Sequence, residues 1–484
     1  MRAPRLTSRA LELATALALV AGVMASSCAA PRLVARAPST LAGGVVSGAF
    51  SYRVVPSGDA SELSIEASVP AGGLYRVARR ALPFLRDVTF DDGASSRPLS
   101  PQAHGFEVPP CPAGQACRLR YRFRLADAAR AEGDIDLAEP YRGAFLSPPS
   151  SWLLRPGDVS APYELEVSPS KGQSFISGLA LSASHPDRFA GDVSRLDDTP
   201  YAAFGPLSVS RLSLPGASLD VAFTPGTFDL GEAEVKTWID RSARAVAAYF
   251  GRFPIPHAAL LVLVSPRARV ADGHTMGFGG GSVVLSVGEH ATARDLARDW
   301  ILVHELCHLT FPNVRRAWAE EGMATYLEPM IRARAGTLDP DAVWQERLEN
   351  LSKGQPGPGD EGLDHTDGWG RRYWGGAGFW LSADVEIRRR TKNRRSIDDA
   401  FRAIAEAGGN VSEVWDLDRT LAIGDRATGA DVLVPLRHAM GDHPQPVDLE
   451  ALSRDLGVSL RGGQVVYDDR APLADLRRDM LRRR

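Results

Sequence analysis

Apolar residues alternate with polar ones at Leu63, Ile65, Ala67 and Val69, at Leu119, Tyr121, Phe123 and Leu125, at Tyr163, Leu165 and Val167, and at Leu219, Val221 and Phe223. Clusters of Gly, Pro and Ser separate these runs, so each predicts a short half-buried strand. Residues 45–225 are therefore expected to form an all-β, sandwich-like domain. Arg118, Arg120, Arg122 and Arg124 fall on the polar phase and read as a solvated outer face. Near Gly231 the period becomes helical: Val235, Trp238, Ile239, Val246, Tyr249 and Phe250 share one face, and Gly251 and Pro254 end it. The continuous apolar run Ala259 to Val264 reads as a buried strand. Residues 226–395 mix both patterns and predict an α+β domain, whereas 396–484 predict a mostly helical one. Ser396 to Asp399 resembles a capping box, and Gln464 to Tyr467 a short extended piece.

The N-terminus changes the picture. Arg2, Arg5 and Arg9 precede an apolar stretch from Leu13 to Ala25, the length and flanks of a secretory signal and too short for a comfortable membrane span. Ala25-Ser26-Ser27-Cys28 resembles a bacterial lipoprotein processing site. That resemblance implies removal of the segment before Cys28, a lipid on Cys28, and attachment to a membrane surface in the cell envelope, on the periplasmic or outer-membrane face. Residues 29–44 are rich in small residues and read as a tether. In an oxidising compartment Cys111 and Cys117, which flank a turn-rich loop, are candidates for a small disulfide. The chain has 484 residues, 44% of them hydrophobic, and a formal net charge of −3, which argues against nucleic acid as the main partner. It leaves the oligomeric state open.

The candidate chemistry lies in Ile301 to Leu309, where His304, Glu305 and His308 form a His-Glu-x-x-His motif inside an apolar run. On a helix, positions i and i+4 lie on one face, so both imidazoles can meet one metal ion, with Glu305 beside them to handle a water. Glu321, thirteen residues beyond His308 in a second helical segment, supplies a third ligand. Two histidines and one carboxylate leave a fourth position open, the pattern of a single catalytic zinc rather than a structural one. Cys307 points to another face and reads as a core residue.

His304-Glu305-x-x-His308 followed by Trp318-x-x-Glu321-Gly322-x-Ala324 resembles the gluzincin metallopeptidases, in which this second glutamate is the third zinc ligand. Tyr373 to Ala377 and Leu381 to Thr391 resemble the glycyl aminopeptidase family, and more distantly the aminopeptidase N family, without an evident PDZ module. The resemblance implies a thermolysin-like catalytic domain over 226–395, one Zn2+, hydrolysis of a peptide or protein substrate, and a transition-state donor role for Tyr373. His365, in the Gly-, Pro- and Asp-rich stretch from Ser352 to Gly370, is the second candidate donor. That stretch reads as a mobile rim over the cleft. Asp272 to Ser282 leads into the strand on which gluzincins lay their substrate, so Gly277, Gly279 and Gly280 are candidate substrate contacts through backbone pairing.

One departure weakens the exopeptidase reading. The aminopeptidase N family carries a glutamate in this glycine-rich strand to bind the substrate amine, and here there is none. Glu320 or a loop acid is the candidate substitute, and Glu328 a candidate to orient a ligand histidine from behind. The expectation is an exported zinc aminopeptidase. An endopeptidase on the same scaffold and a non-catalytic lipid-anchored binding protein are the alternatives.

Overall fold

A computed structural model of the chain describes residues 49–482 except 113, 114, 116 and 158. The signal segment 1–28 with its Cys28, and the tether 29–44, lie outside the described residues. Among those residues no helix is long and apolar enough to cross a membrane.

The predicted alternation produces a seven-stranded sheet in which Phe50–Pro56, Leu63–Val69 and Cys117–Phe123 bury every second side chain. Facing it is a four-stranded sheet containing Gly73–Arg76 and Gly105–Val108, and one apolar core takes residues from both. Such a sandwich is what two half-apolar sheets require. The unit is not purely β, because Leu125–Glu132 forms a helix. The outward arginines are held in surface ion pairs, Arg120 with Glu66 (2.9 Å) and Asp91 (3.1 Å), Arg122 with Glu62 (3.1 Å). Cys111 and Cys117 are joined as a disulfide.

A second four-stranded sheet, of Ser174–Ser177, Ala202–Gly205, Ala144–Leu146 and Glu139–Tyr141, connects this sandwich to the rest. Its strands split their alternation between two cores. Phe175 and Phe204 pack on Trp152 of the first unit, while Ile176 and Ala203 meet Leu261 and Val284 of the next sheet.

That next sheet has five strands in the order Ser208–Leu214, Ala217–Phe223, His257–Ser265, Gly281–Gly288 and Val270–Gly277. The boundary expected at 225 therefore falls too late. Ala217–Phe223 alternates like its predecessors, but it pairs in parallel with His257–Ser265, a partner that local pattern does not reveal. The helix Glu232–Phe250 covers the sheet with Val235, Trp238, Ile239 and Val246, as its period requires.

The C-terminal helices do not form a core of their own. One apolar cluster runs from Leu214 to Leu481, and the junction expected at 396 lies inside it. There Tyr249 donates to Asp398 (2.7 Å), Arg334 pairs with the same carboxylate (2.8 Å), and the Ile397 amide donates to Asp384 (2.9 Å). The Ser396 capping box with Asp399 forms as expected, and Val458–Arg461 pairs with Gln464–Tyr467.

Candidate metal centre

The helix Ile301–His308 is buried over all but its last residue, which its apolar sequence demands. Its amide ends need acceptors in that setting, and Asp299 provides them, accepting from Ile301 N (3.2 Å) and Leu302 N (2.9 Å). Burial pushes the Asp299 carboxyl up to about 6. The second helix, Ala317–Arg334, carries Glu321, and its next residue, Gly322, crosses Gly376 so closely that an added Cβ would lie 2.4 Å from the Gly376 backbone.

Those two helices bring His304, His308 and Glu321 together. The Nε2 atoms of the histidines are 3.3 Å apart, and each lies 3.3 Å from Glu321 Oε2. A tetrahedral zinc with ligand bonds of about 2.0–2.1 Å has ligands about 3.3–3.4 Å apart, so the three donor atoms fit three corners of that tetrahedron. Electrostatics agree. Burial opposes charge on His308, yet Glu321 outweighs it and raises the ring to about 9. Burial likewise opposes charge on Glu321, and the two imidazoles overcome it, holding the carboxyl well below its ordinary range. The pocket favours positive charge where the donors converge.

Glu305 is buried beside His304, and its orientation is fixed by a contact that the sequence did not flag. Thr275, on the edge strand Val270–Gly277, donates its hydroxyl to Glu305 Oε2 at 2.6 Å and lies 3.0 Å from the Glu305 carbonyl. The helix approaches this strand closely enough that a Cβ at Gly273 would sit 2.6 Å from Glu305 Cγ. Tyr373 lies in a π-helical turn, Arg371–Gly375, which leads into the helix Gly376–Arg390. Its ring is buried and parallel to that of His304, with centroids 6.0 Å apart and planes at 10°. π-helical turns are frequent at functional sites.

Other expectations are corrected. The backbone around Gly277, Gly279 and Gly280 is taken up by this chain: a Cβ at Gly277 would meet the Val411 carbonyl at 2.2 Å, Gly279 N donates to Ser412 O (3.1 Å), and a Cβ at Gly280 would meet the Gly178 carbonyl at 2.1 Å. These glycines close a hairpin onto neighbouring loops, so the outer strand of the sheet, Val270–Gly277, is covered by this chain at its Gly277 end. Glu328 pairs with Arg332 at 2.7 Å instead of reaching a ligand histidine. Glu320 turns back to accept from Val314 N (2.8 Å), and burial raises it to about 7. His365 is exposed on a stretch that is tied down, since neighbouring Asp364 accepts from Trp318 Nε1 (2.7 Å) and Arg437 (2.5 Å), and Arg371 reaches Asp360 (2.8 Å). Cys307 is buried and free, as expected.

The site also contains acids that local sequence gave no reason to select. Asp136 and Asp198 of the first unit are exposed at the surface and lie within electrostatic reach of each other. Desolvation by the surrounding protein raises both, with the charge of Asp134 adding for Asp136 and that of Asp136 for Asp198, which reaches about 6. Asp136 lies close to Tyr201 and feels the charge of His274 on the edge strand. Burial raises the Tyr201 phenol first, with the charges of Asp136, Glu305 and Asp198 adding to it, so these three acids lie within electrostatic reach of one phenol. Chain distance hides this cluster.

No protein-family model matches the chain, and no curated protein does. Among solved structures, an aminopeptidase N family protein from Idiomarina loihiensis matches with a TM-score of 0.64 at 12% identity, over 85% of this chain and 79% of that one. An M1 zinc metallopeptidase variant from Deinococcus radiodurans matches with a TM-score of 0.50 at 14% identity, over 84% of this chain and 96% of that one. The same variant bound to a Tyr-Ser-Ala substrate gives 0.50 at 15% identity over 84% and 96%. The chain thus has the multidomain fold of aminopeptidase N-type zinc metallopeptidases, with its three convergent donors on the two helices that follow the edge strand.

Proposed function

We propose that this protein is a zinc metallopeptidase that removes residues from the free N-termini of peptides. The observation that carries the reading is the triangle of donor atoms, 3.3 Å on each side, from His304, His308 and Glu321, with the buried carboxylate of Glu305 next in sequence to one of them. These three residues would hold one Zn2+, which when bound lowers the pKa of a water towards about 7 and polarises the scissile carbonyl. Glu305 takes a proton from the attacking water as the new C–O bond forms. It then returns that proton to the leaving nitrogen as the C–N bond breaks. Thr275 holds the carboxylate in place for both transfers. Tyr373, on the wall beside His304, donates a hydrogen bond to the carbonyl oxygen as it gains charge.

Asp136 and Asp198 favour the aminopeptidase reading over the endopeptidase one. Both carboxylates are exposed, and Asp136 feels the charge of His274 on the edge strand, which makes this pair our candidate for holding a protonated α-amine in place of the glutamate that the strand lacks. The resemblance to the glycyl aminopeptidase family, the signal segment and lipidation at Cys28 rest on sequence, and complete the reading as an envelope-anchored enzyme.

The test is a mixed library of free and N-terminally blocked peptides, incubated with chain of measured zinc content and with Glu305→Gln as control. Loss of single N-terminal residues from free peptides only, at least a hundredfold slower in the control with zinc retained, is the expected result. Cleavage inside blocked peptides would assign an endopeptidase. Absence of both zinc and cleavage would leave a binding protein.

A further inference from the structure

The metal centre is the lower end of an aromatic column. The His304 ring, 1% exposed, lies parallel to that of Tyr373, and Tyr373 is stacked in turn on Trp369, with centroids 5.5 Å apart and planes at 25°. Trp369 is 36% exposed, one of the few large apolar side chains of the described residues that face solvent. Its position is imposed by the helix. Residues 369 and 373 are four apart at the start of the helical segment, so their rings stack along one face. The segment is tied on its outer side, where Arg372 reaches Asp367 (2.5 Å), and on its inner side, where Arg371 reaches Asp360 and the Gly354 carbonyl (2.6 Å). The indole is therefore a held, half-exposed surface two rings from the metal-binding His304, and ordering it on binding costs little. An extended peptide advances about 3.3 Å per residue, so two ring spacings above His304 correspond to about three residues from the bond being cut.

We infer that Trp369 is a specificity-determining wall of the cleft, which selects peptides carrying an aromatic or large apolar side chain within about three residues of the scissile bond. This rests on the peptidase reading above. A flat indole gains most from a second ring, with a contribution equivalent to about two- to tenfold in affinity. Glycine and alanine leave the indole exposed.

The experiment compares peptides that differ only by Phe or Gly at one position within three residues of the cut, with the full-length, zinc-loaded chain and its Trp369→Ala and Trp369→Phe variants. Binding of the same peptides to Glu305→Gln and to Glu305→Gln with Trp369→Ala is measured by calorimetry, so the test does not depend on turnover. The expected result is a Phe-over-Gly ratio of kcat/KM that falls about two- to tenfold in Trp369→Ala and is mostly kept in Trp369→Phe, with the same fall in binding. A ratio unchanged by Trp369→Ala overturns the inference while leaving the peptidase reading intact. If no peptide is cut by the parent chain, the peptidase reading fails. The binding ratio then decides separately whether Trp369 recognises aromatic side chains.

Discussion

Thr275→Val isolates the contact that orients the proposed base. The Thr275 hydroxyl donates to Glu305 Oε2 at 2.6 Å, a short bond to a buried carboxylate, and valine replaces that hydroxyl by a methyl group of similar size. A hydrogen bond to a charged group contributes about 1.5–3 kcal/mol. If that energy holds Glu305 in the geometry that the proton transfers need, its loss lowers kcat/KM about ten- to hundredfold. Fold stability should fall by a similar amount, about 1–3 kcal/mol, because a buried carboxylate loses its donor, so activity is compared well below the variant's Tm. The Thr275 hydroxyl bonds Glu305 and not the donor triangle, so bound zinc should stay at the parent level. Steady-state hydrolysis, zinc content and thermal unfolding are measured on the parent, Thr275→Val and Thr275→Ser, and the serine variant keeps most of the activity. A valine variant within twofold of the parent would refute the orienting role. A valine variant that loses zinc would show that the strand supports the ligands rather than the base.

Two further predictions concern the scaffold. Gly322→Ala puts a methyl group 2.4 Å from the Gly376 backbone, where overpacking costs about 1–3 kcal/mol. It should lower Tm and also kcat/KM, because this crossing sets the Glu321 helix against the Tyr373 turn; an unchanged Tm would show that the helices separate freely. Asp299 is held near 6 against an ordinary 3.8, so between these values the folded chain binds more protons than the unfolded one, and stability is lost as pH rises. Asp299→Asn keeps one capping oxygen and removes the buried charge. Relative to the parent it should gain about 1–2 kcal/mol between pH 5 and pH 7.5 in denaturant unfolding, and an equal difference at both pH values would refute the burial argument.

Elements whose signal is local could be read directly from the chain. Period-two alternation marked the strands, and the helical period from Val235 to Phe250 and the capping box at Ser396 marked helix positions that the structure retains. The spacing of His304 and His308 put two imidazoles on one helical face, and that geometry survives in the fold. Tertiary structure decided what depends on partners far along the chain. Ala217–Phe223 looks like its predecessors in sequence, yet parallel pairing with His257–Ser265 assigns it to another sheet. The glycines at 277, 279 and 280 promised a close backbone approach without saying whose backbone, and the chain's own loops fill that place. Thr275 acquires meaning only beside Glu305, and Asp136 only beside Tyr201 and His274. A side chain's neighbours along the helix or strand follow from a fixed period. Its neighbours across the cleft follow from how whole layers pack, and no local spacing records that.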